Sequence, residues 1–211
     1  DIGIRINPGA SVMVMPMPAG YVGGDTVAAL VGQLEAMQPG PSLLVDIGTN
    51  GEVVLAHQGR LWCTSCATGP ALEGAQISFG MRAAEGAIER VKIDPATLEV
   101  DYKVIGHPHW RSQAPDKTIK LRGICGSGIL DAIAQLFLSG LMGSNGAMPK
   151  ESPSKRLVID PLSGRPAFVL AWAHETNLGR DLTVSQKDVR QIQLAKAALA
   201  PLVLPSLRGQ V

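Results

Sequence analysis

Two hydrophobic periods alternate along the chain. Val12 to Met17 is a short apolar run in which Met13, Met15 and Met17 alternate. It predicts a strand that Pro16 and Pro18 end, with the methionines serving packing. After Gly23 and Gly24 the period changes. Asp25 is placed to cap a helix on which Val27, Leu30, Val31, Leu34 and Met37 share one apolar face, and Gln38-Pro39-Gly40-Pro41 stops it. Short apolar runs then return with turn residues between them. Ser42 to Ile47 predicts a buried strand, Gly48 to Gly51 a tight turn, and Glu52 to Ala56 a second strand. His57 to Arg60 makes another turn and Leu61 to Ser65 a third strand, so the block is a meander.

Further on, Leu98 to Ile105 and Thr118 to Ile124 predict strands on either side of a loop containing Pro and His. Cys125 to Gly128 is a glycine-rich turn, after which Ile129, Leu130, Ile133, Leu136 and Phe137 mark a helix ending near Gly140. Gly143 to Arg156 is polar and predicts an exposed loop, and Pro166 to Trp172 predicts a strand. Ser185 with Asp188 three residues on forms a capping box for a last helix with Val189, Ile192, Ala195 and Leu199 inside. Strand–turn–strand followed by strand–turn–helix units predict an α/β fold, a mixed sheet flanked by helices. The expected organisation is an N-terminal segment over 1–41 within the same domain, a core over 42–200, and an irregular tail over 201–211 that begins at Pro201. No internal repeat is visible.

Composition narrows the function classes. An apolar fraction of 45% suits a globular protein with a real core. A net charge of +1 without Lys or Arg runs points away from nucleic acid and anionic membrane. Asp1 to Asn7 lacks the features of a signal peptide, and Ala195 to Leu207 is short and broken by prolines, so no membrane span is expected. With three cysteines giving no disulfide framework, the expectation is a soluble, cytoplasmic protein. The 24 glycines cluster in short loops, as where backbone approaches a ligand closely.

Val45-Asp46-Ile47-Gly48-Thr49-Asn50-Gly51-Glu52 is the strongest local feature. A strand delivers an Asp at its end, and the turn that follows exposes backbone N–H groups able to wrap phosphate oxygens. Thr49 and Asn50 add side-chain hydrogen bonds, and Asp46 beside an anion makes sense if it binds Mg²⁺ directly or through water. The plain alternative is a hairpin, since Asn-Gly is a favoured two-residue turn. Gly123-Ile124-Cys125-Gly126-Ser127-Gly128 precedes a helix, where a nucleotide can lie against backbone; the alternative is close helix–strand packing. The two turns are expected to face one cleft. Thr68 to Ala75 is a third glycine-bearing loop, with Glu73 either near that cleft or on a merely structural turn.

Taken together, these strings resemble a known family. Asp46 to Glu52 is similar to the second phosphate motif, and Gly123 to Gly128 to the adenosine motif, of the actin, sugar-kinase and heat-shock-chaperone (ASKHA) superfamily. Adding Tyr21 to Asp25, Ala67 to Ala75, Gly80-Met81-Arg82, Gly86 to Glu89, Gly123 to Asp131 and Gln193 to Ala198, the chain resembles the C-terminal ASKHA domain of the reductive activators of corrinoid proteins over Ala19 to Leu199. The resemblance implies an actin-like, ribonuclease H-like ATPase fold. It also implies ATP and Mg²⁺ as cofactors, with phosphates at Asp46, Gly48, Thr49, Asn50, Gly51 and Glu52 and adenosine at Gly123, Cys125, Gly126, Ser127 and Gly128. Asp46 would serve the metal. Members of this family carry an N-terminal 2Fe–2S domain and use ATP to drive reduction of a cobalt(II) corrinoid protein to cobalt(I). The implied partner is that corrinoid protein, and a homodimer is compatible with the reading.

Three departures accompany the resemblance: no iron–sulfur ligand run, no upstream Asp-x-Gly-Thr-Thr phosphate motif, and an end of the match at Leu199 where the family continues. The fold is therefore expected to be incomplete, with the 2Fe–2S cluster in a missing N-terminal domain. Whether this chain alone is an ATPase is left open, and no catalytic residue is assigned. A non-catalytic interaction domain of the same fold and a small-molecule kinase of the superfamily are the alternatives. Cys63-Thr64-Ser65-Cys66 lies on a predicted strand without a second pair, so two buried structural cysteines are expected. His107-Pro108-His109 lacks a third metal ligand nearby and reads as an exposed loop.

Overall fold

The computed structural model describes all residues except 1, 2, 4, 36, 38, 39, 115–118, 120, 152, 153 and 208–211, with backbone alone for 204–207. The chain forms two compact units, Asp1–Asp46 with Glu52–Cys66, and Ile47–Gly51 with Ala67–Val211. The meander thus groups largely with the N-terminal segment, whereas the sequence grouping placed it in the core.

The first unit holds α1 (Gly24–Gln33) and most of the strands β1 (Ser42–Ile47), β2 (Asn50–His57) and β3 (Arg60–Ala67), in sheet order β1-β2-β3. Two-residue links between hydrogen-bonded neighbours make these hairpins antiparallel. The link Gln58-Gly59 has positive φ at both positions, 49° and 72°, as a hairpin turn matched to strand twist requires. Val22, Thr26, Val53 and Val54 are the buried residues of this unit among those described. Three expectations need correction here. Val12 to Met17 forms no strand: prolines remove N–H donors, no strand pairs with it among the described residues, and Met13 and Met17 are exposed. The N-cap of α1 is Gly23, not Asp25; Asp25 sits inside the first turn and its Oδ1 accepts the Thr26 N–H at 2.9 Å. The helix ends at Gln33 with Val31 and Leu34 exposed, so its expected apolar face is not buried. The stop expected at Gln38 and Pro39 falls outside the described residues.

The second unit holds two further sheets. β4 (Ala87–Ile93) is flanked by antiparallel β5 (Val100–Val104) and parallel β6 (Gly123–Ile124), the expected mixed sheet. β8 (Pro166–Ala171) runs antiparallel to both β7 (Leu157–Ile159) and β9 (Leu182–Ser185). Helix α2 (Gly126–Leu138) packs on β4, and α3 (Gln186–Leu207) follows β9 directly. Between them lies a continuous core that includes Ile88, Val91, Tyr102, Leu121, Ile129, Leu136, Phe168, Leu170 and Val189. Each such aliphatic or aromatic side chain contributes about 1.5–3 kcal/mol on burial.

Polar groups lock this core. Parallel β6 pairs with β4 only at Ala87 and Ile88. Beyond it, the Val91 N–H donates to Asp131 Oδ2 at 2.8 Å and the Ile93 N–H to Gln135 Oε1 at 3.1 Å. Four residues of helix advance about 6 Å and two of strand about 6.6 Å, so the two acceptors match the two donors. At the start of α3 the capping box is present: Asp188 accepts the Ser185 N–H, and Ser185 Oγ accepts the Asp188 N–H. Asp188, fully buried, also accepts from the N–H and hydroxyl of Ser78, tying a distant loop to the helix.

Elsewhere the pattern departs from expectation. On α2 the buried residues are Gly128, Ile129, Ala132 and Leu136, while Leu130 and Phe137 are exposed. Within Gly143 to Arg156, Met148 and Arg156 are buried; the Arg156 guanidinium bonds to Glu99 and to the Val169 and Leu170 carbonyls. α3 continues through Pro201 to Leu207 instead of giving way to an irregular tail. Pro201 and Ala197 are both exposed, so the turn in which Pro201 can give the Ala197 carbonyl no N–H lies on the accessible side of the helix.

Candidate functional site

The tip of the β1–β2 hairpin, Ile47–Gly51, belongs to the second unit. Its carbonyls are held by the next loop. Thr49 O accepts the N–H groups of Thr68 and Gly69 at 3.1 and 3.0 Å, and the buried Thr68 hydroxyl donates to Gly48 O at 2.5 Å and Thr49 O at 3.0 Å. One tip N–H, that of Gly48, closes the turn on Asn50 O at 3.0 Å. That of Thr49 leaves the turn and donates to Glu73 Oε1 at 3.0 Å. Hydrogen bonds from Thr49 hold the Glu73 carboxyl below the usual carboxylate range; desolvation opposes them, and the Arg82 charge adds the smallest contribution.

Glu73 ends a single helical turn, Pro70–Glu73, and lines a groove of about 430 Å³ with Leu72, Met81, Arg82, Ala83 and Gly126. The hairpin tip and the start of α2 are therefore linked through one side chain. Cys125 is the N-cap of α2 and offers no side-chain cap, so the first N–H groups of the helix keep their positive end for a ligand or solvent.

Other sequence-derived residues are placed as follows. Gly51 is buried, and a Cβ there would lie 2.5 Å from Leu199 Cδ2 and 2.8 Å from Thr68 Cγ2. Glu52 accepts the Ser65 hydroxyl at 3.1 Å across the sheet, because strand alternation turns it away from Gly51 and Val53. Asp46 is half-buried in β1, and its carboxylate makes no hydrogen bond or ion pair among the described residues. Asn50 is exposed and contributes its carbonyl to the turn. Gly123 is buried, with Phe79 O 2.7 Å from where its Cβ would be. A Cβ on Gly126 would overlap the Leu72 carbonyl oxygen, and one on Gly128 the Ile88 carbonyl oxygen. Close packing thus accounts for both glycines. The Cys125 thiol is buried against Ile88 O at 3.3 Å and Ser127 Oγ at 3.2 Å; Ser127 itself is exposed.

Of the cysteines expected to be buried, Cys63 is exposed and Cys66 half-buried, because β3 is the last strand of its sheet and covers little. His109 is exposed, and no three His, Cys, Asp or Glu side chains gather as a cation site among the described residues. No helix is long and apolar enough to cross a membrane among the described residues.

Two features escape the sequence pattern. Arg82 brings a cation to the groove, and its spacing from Glu73 follows no period that could mark it. A second cavity, of about 280 Å³, is lined by Tyr102, Arg111, Ser112, His174 and Glu175. There Arg111 pairs with the mostly buried Glu175, and the Tyr102 hydroxyl is pushed up to about 12, by burial first and the Glu175 charge second.

A family model described as the C-terminal domain of RACo, the ASKHA domain, matches residues 40–204. The chain is 39% identical over 205 residues to the corrinoid activation enzyme RamQ of Eubacterium limosum, covering 94% of this chain and 32% of that protein. It is 32% identical over 160 residues to the Co(II) methylated amine-specific corrinoid protein reductase of Methanosarcina barkeri, covering 71% of this chain and 29% of that protein. Among solved structures, a reductive activator for corrinoid, iron–sulfur protein superposes with a TM-score of 0.76 at 36% identity, over 92% of this chain and 29% of that one. The chain thus spans about a third of the length of the curated relatives it matches.

Proposed function

The chain belongs to the family of C-terminal ASKHA domains of the reductive activators of corrinoid proteins, and from that premise we propose that it is the nucleotide-binding module of an activator coupling ATP to reduction of a cobalt(II) corrinoid protein to cobalt(I). The observation that carries this is the Thr49 N–H bonded to the Glu73 carboxylate, a side chain that lines one groove with Arg82 and Gly126 at the start of α2. In this reading the hairpin tip and Arg82 take the phosphates and the N-terminus of α2 the nucleoside side. Asp46, whose carboxylate has no protein partner among the described residues, holds Mg²⁺ together with phosphate oxygens and water.

ATP fits the donors present, and Mg²⁺ offsets the charge that its phosphates meet at carboxylates. A 2Fe–2S cluster does not fit: four thiolates are needed, and the chain has three cysteines, of which Cys125 is buried with its thiol on a backbone carbonyl. The one electron that converts cobalt(II) to cobalt(I) is therefore assigned to an iron–sulfur donor outside this chain, and the corrinoid protein is the proposed partner. The three free cysteines support a reducing, cytoplasmic setting.

One observation favours a second reading, a non-catalytic interaction domain: close packing already explains Gly126 and Gly128. Calorimetric titration with Mg-ATP and Mg-ADP separates the two. Saturable binding of both is expected for the nucleotide module. No binding, either by this chain or by a version extended upstream through the first phosphate motif, would sink it.

A further inference from the structure

We infer that Glu73 is an internal stand-in for phosphate: its carboxylate occupies the turn N–H that a nucleotide's phosphate needs and must leave when that phosphate arrives. The inference rests on the nucleotide reading and adds a gating residue to it.

Geometry carries the argument. A phosphate-cradling turn works by presenting N–H groups to anionic oxygens. At this hairpin tip the Gly48 N–H is closed on Asn50 O, and both tip carbonyls are fixed by Thr68 and Gly69, so the tip is held rigidly. The Thr49 N–H points out of that frame and meets an oxygen of the same kind a phosphate would offer, Glu73 Oε1. The contact joins residues 24 apart in sequence and is exposed, so water could satisfy the N–H equally well. Arg82, the cation of the groove, acts on the same carboxylate. An N–H on the carboxylate and a guanidinium lining the same groove, with no ion pair between the two side chains among the described residues, make an anion subsite that is here filled from within.

Space allows the exchange. Gly74, directly after Glu73, has a φ of 87°, and its missing Cβ leaves room for the Met81 backbone. The Glu73 backbone is thereby fixed while its long side chain is free to swing into the groove it lines. A displaced Glu73 would remain beside the incoming phosphates. A carboxylate there repels bare phosphate and tolerates a metal-charged one, so the same residue favours Mg-ATP over metal-free polyphosphate.

The test uses the chain with Glu73→Ala and Glu73→Gln, titrated calorimetrically with inorganic tripolyphosphate without metal and with Mg-ATP. Charged hydrogen bonds compete strongly but this one is exposed, so Glu73→Ala is expected to bind tripolyphosphate roughly tenfold tighter than the wild type. The gain for Mg-ATP should be smaller, and Glu73→Gln, which keeps a neutral acceptor, should fall between. Hydrogen exchange at the Thr49 amide should be faster in Glu73→Ala than in the unliganded wild type. Should Glu73→Ala fail to fold, Glu73→Gln carries the same comparison. Equal affinities in wild type and variants overturn the stand-in role while leaving nucleotide binding intact. Weaker binding by Glu73→Ala overturns it as well, and makes Glu73 a ligand to the metal or nucleotide. Absence of binding by every variant, in this chain and in a version extended upstream through the first phosphate motif, overturns the nucleotide reading itself.

Discussion

The chain has two glycine-rich turns that follow a strand, and they use glycine for opposite purposes. At the hairpin tip, Gly48 has ordinary room: the nearest atoms to an added Cβ are Asn50 O at 3.4 Å and Glu73 Oε1 at 3.7 Å. What matters there is the backbone polar groups, fixed by Thr68 and Gly69 on one side and engaged by Glu73 on the other. At the start of α2, Gly126 and Gly128 meet backbone carbonyls of Leu72 and Ile88, and absence of a side chain is what lets helix and strand approach. The same signature in sequence therefore accompanies open space and engaged backbone polar groups in one place and close packing in the other. Gly51 stands between the cases, beside the hairpin tip but pressed against Leu199 of α3.

Substitutions can break or sharpen this contrast. Gly128→Ala should have the largest effect, a loss of about 3 kcal/mol or more by chemical denaturation, because rigid backbone cannot retreat from the new methyl group. If it is tolerated, the packing account of the second turn fails. Asp46→Ala should weaken Mg-ATP binding roughly tenfold while shifting the thermal midpoint little, since a carboxylate beside phosphate is useful only through a cation. Unchanged affinity with a loss of about 0.5–2 kcal/mol, as for a capping group, would make Asp46 a structural residue of the hairpin. Gly51→Ala should cost about 1 kcal/mol, because the Leu199 side chain can partly give way. Combining it with Leu199→Ala should recover part of that loss, which a double-mutant cycle would read. Gly48→Ala should change stability by less than about 0.5 kcal/mol, and a larger loss in a melting experiment would show that the first turn, too, is shaped by packing.

Much of the second unit was legible because its elements carry local chemistry. The Ser185–Asp188 capping box announced α3, and the apolar run Pro166 to Trp172 announced β8, all six of whose residues are buried. β4 was not legible, although it is central. Its buried residues Ile88 and Val91 are three apart, because a bulge between Ile88 and Arg90 breaks the two-residue period, and exposed Arg90 and Lys92 hide the run further. The end of α3 was misread for the opposite reason: prolines are strong local signals, and exposure of Ala197 and Pro201 lets the helix pass them. In the candidate site, the Asp46 and Thr49 turn stood out by composition. The partnership of Thr49 with Glu73, and the presence of Arg82, depend on folding of a loop 24 residues away. No periodicity reports such a contact.

The pairing of Asp131 and Gln135 with the Val91 and Ile93 amides also bears on how the sheet ends. A strand whose neighbour stops after two residues would leave a row of open donors, the kind of edge onto which another chain can add. Here a helix supplies the missing acceptors from its side chains and covers the row with its own bulk. The sheet is closed on that side without a further strand, so growth by β-augmentation is blocked at β4 by the helix that immediately follows the truncated strand.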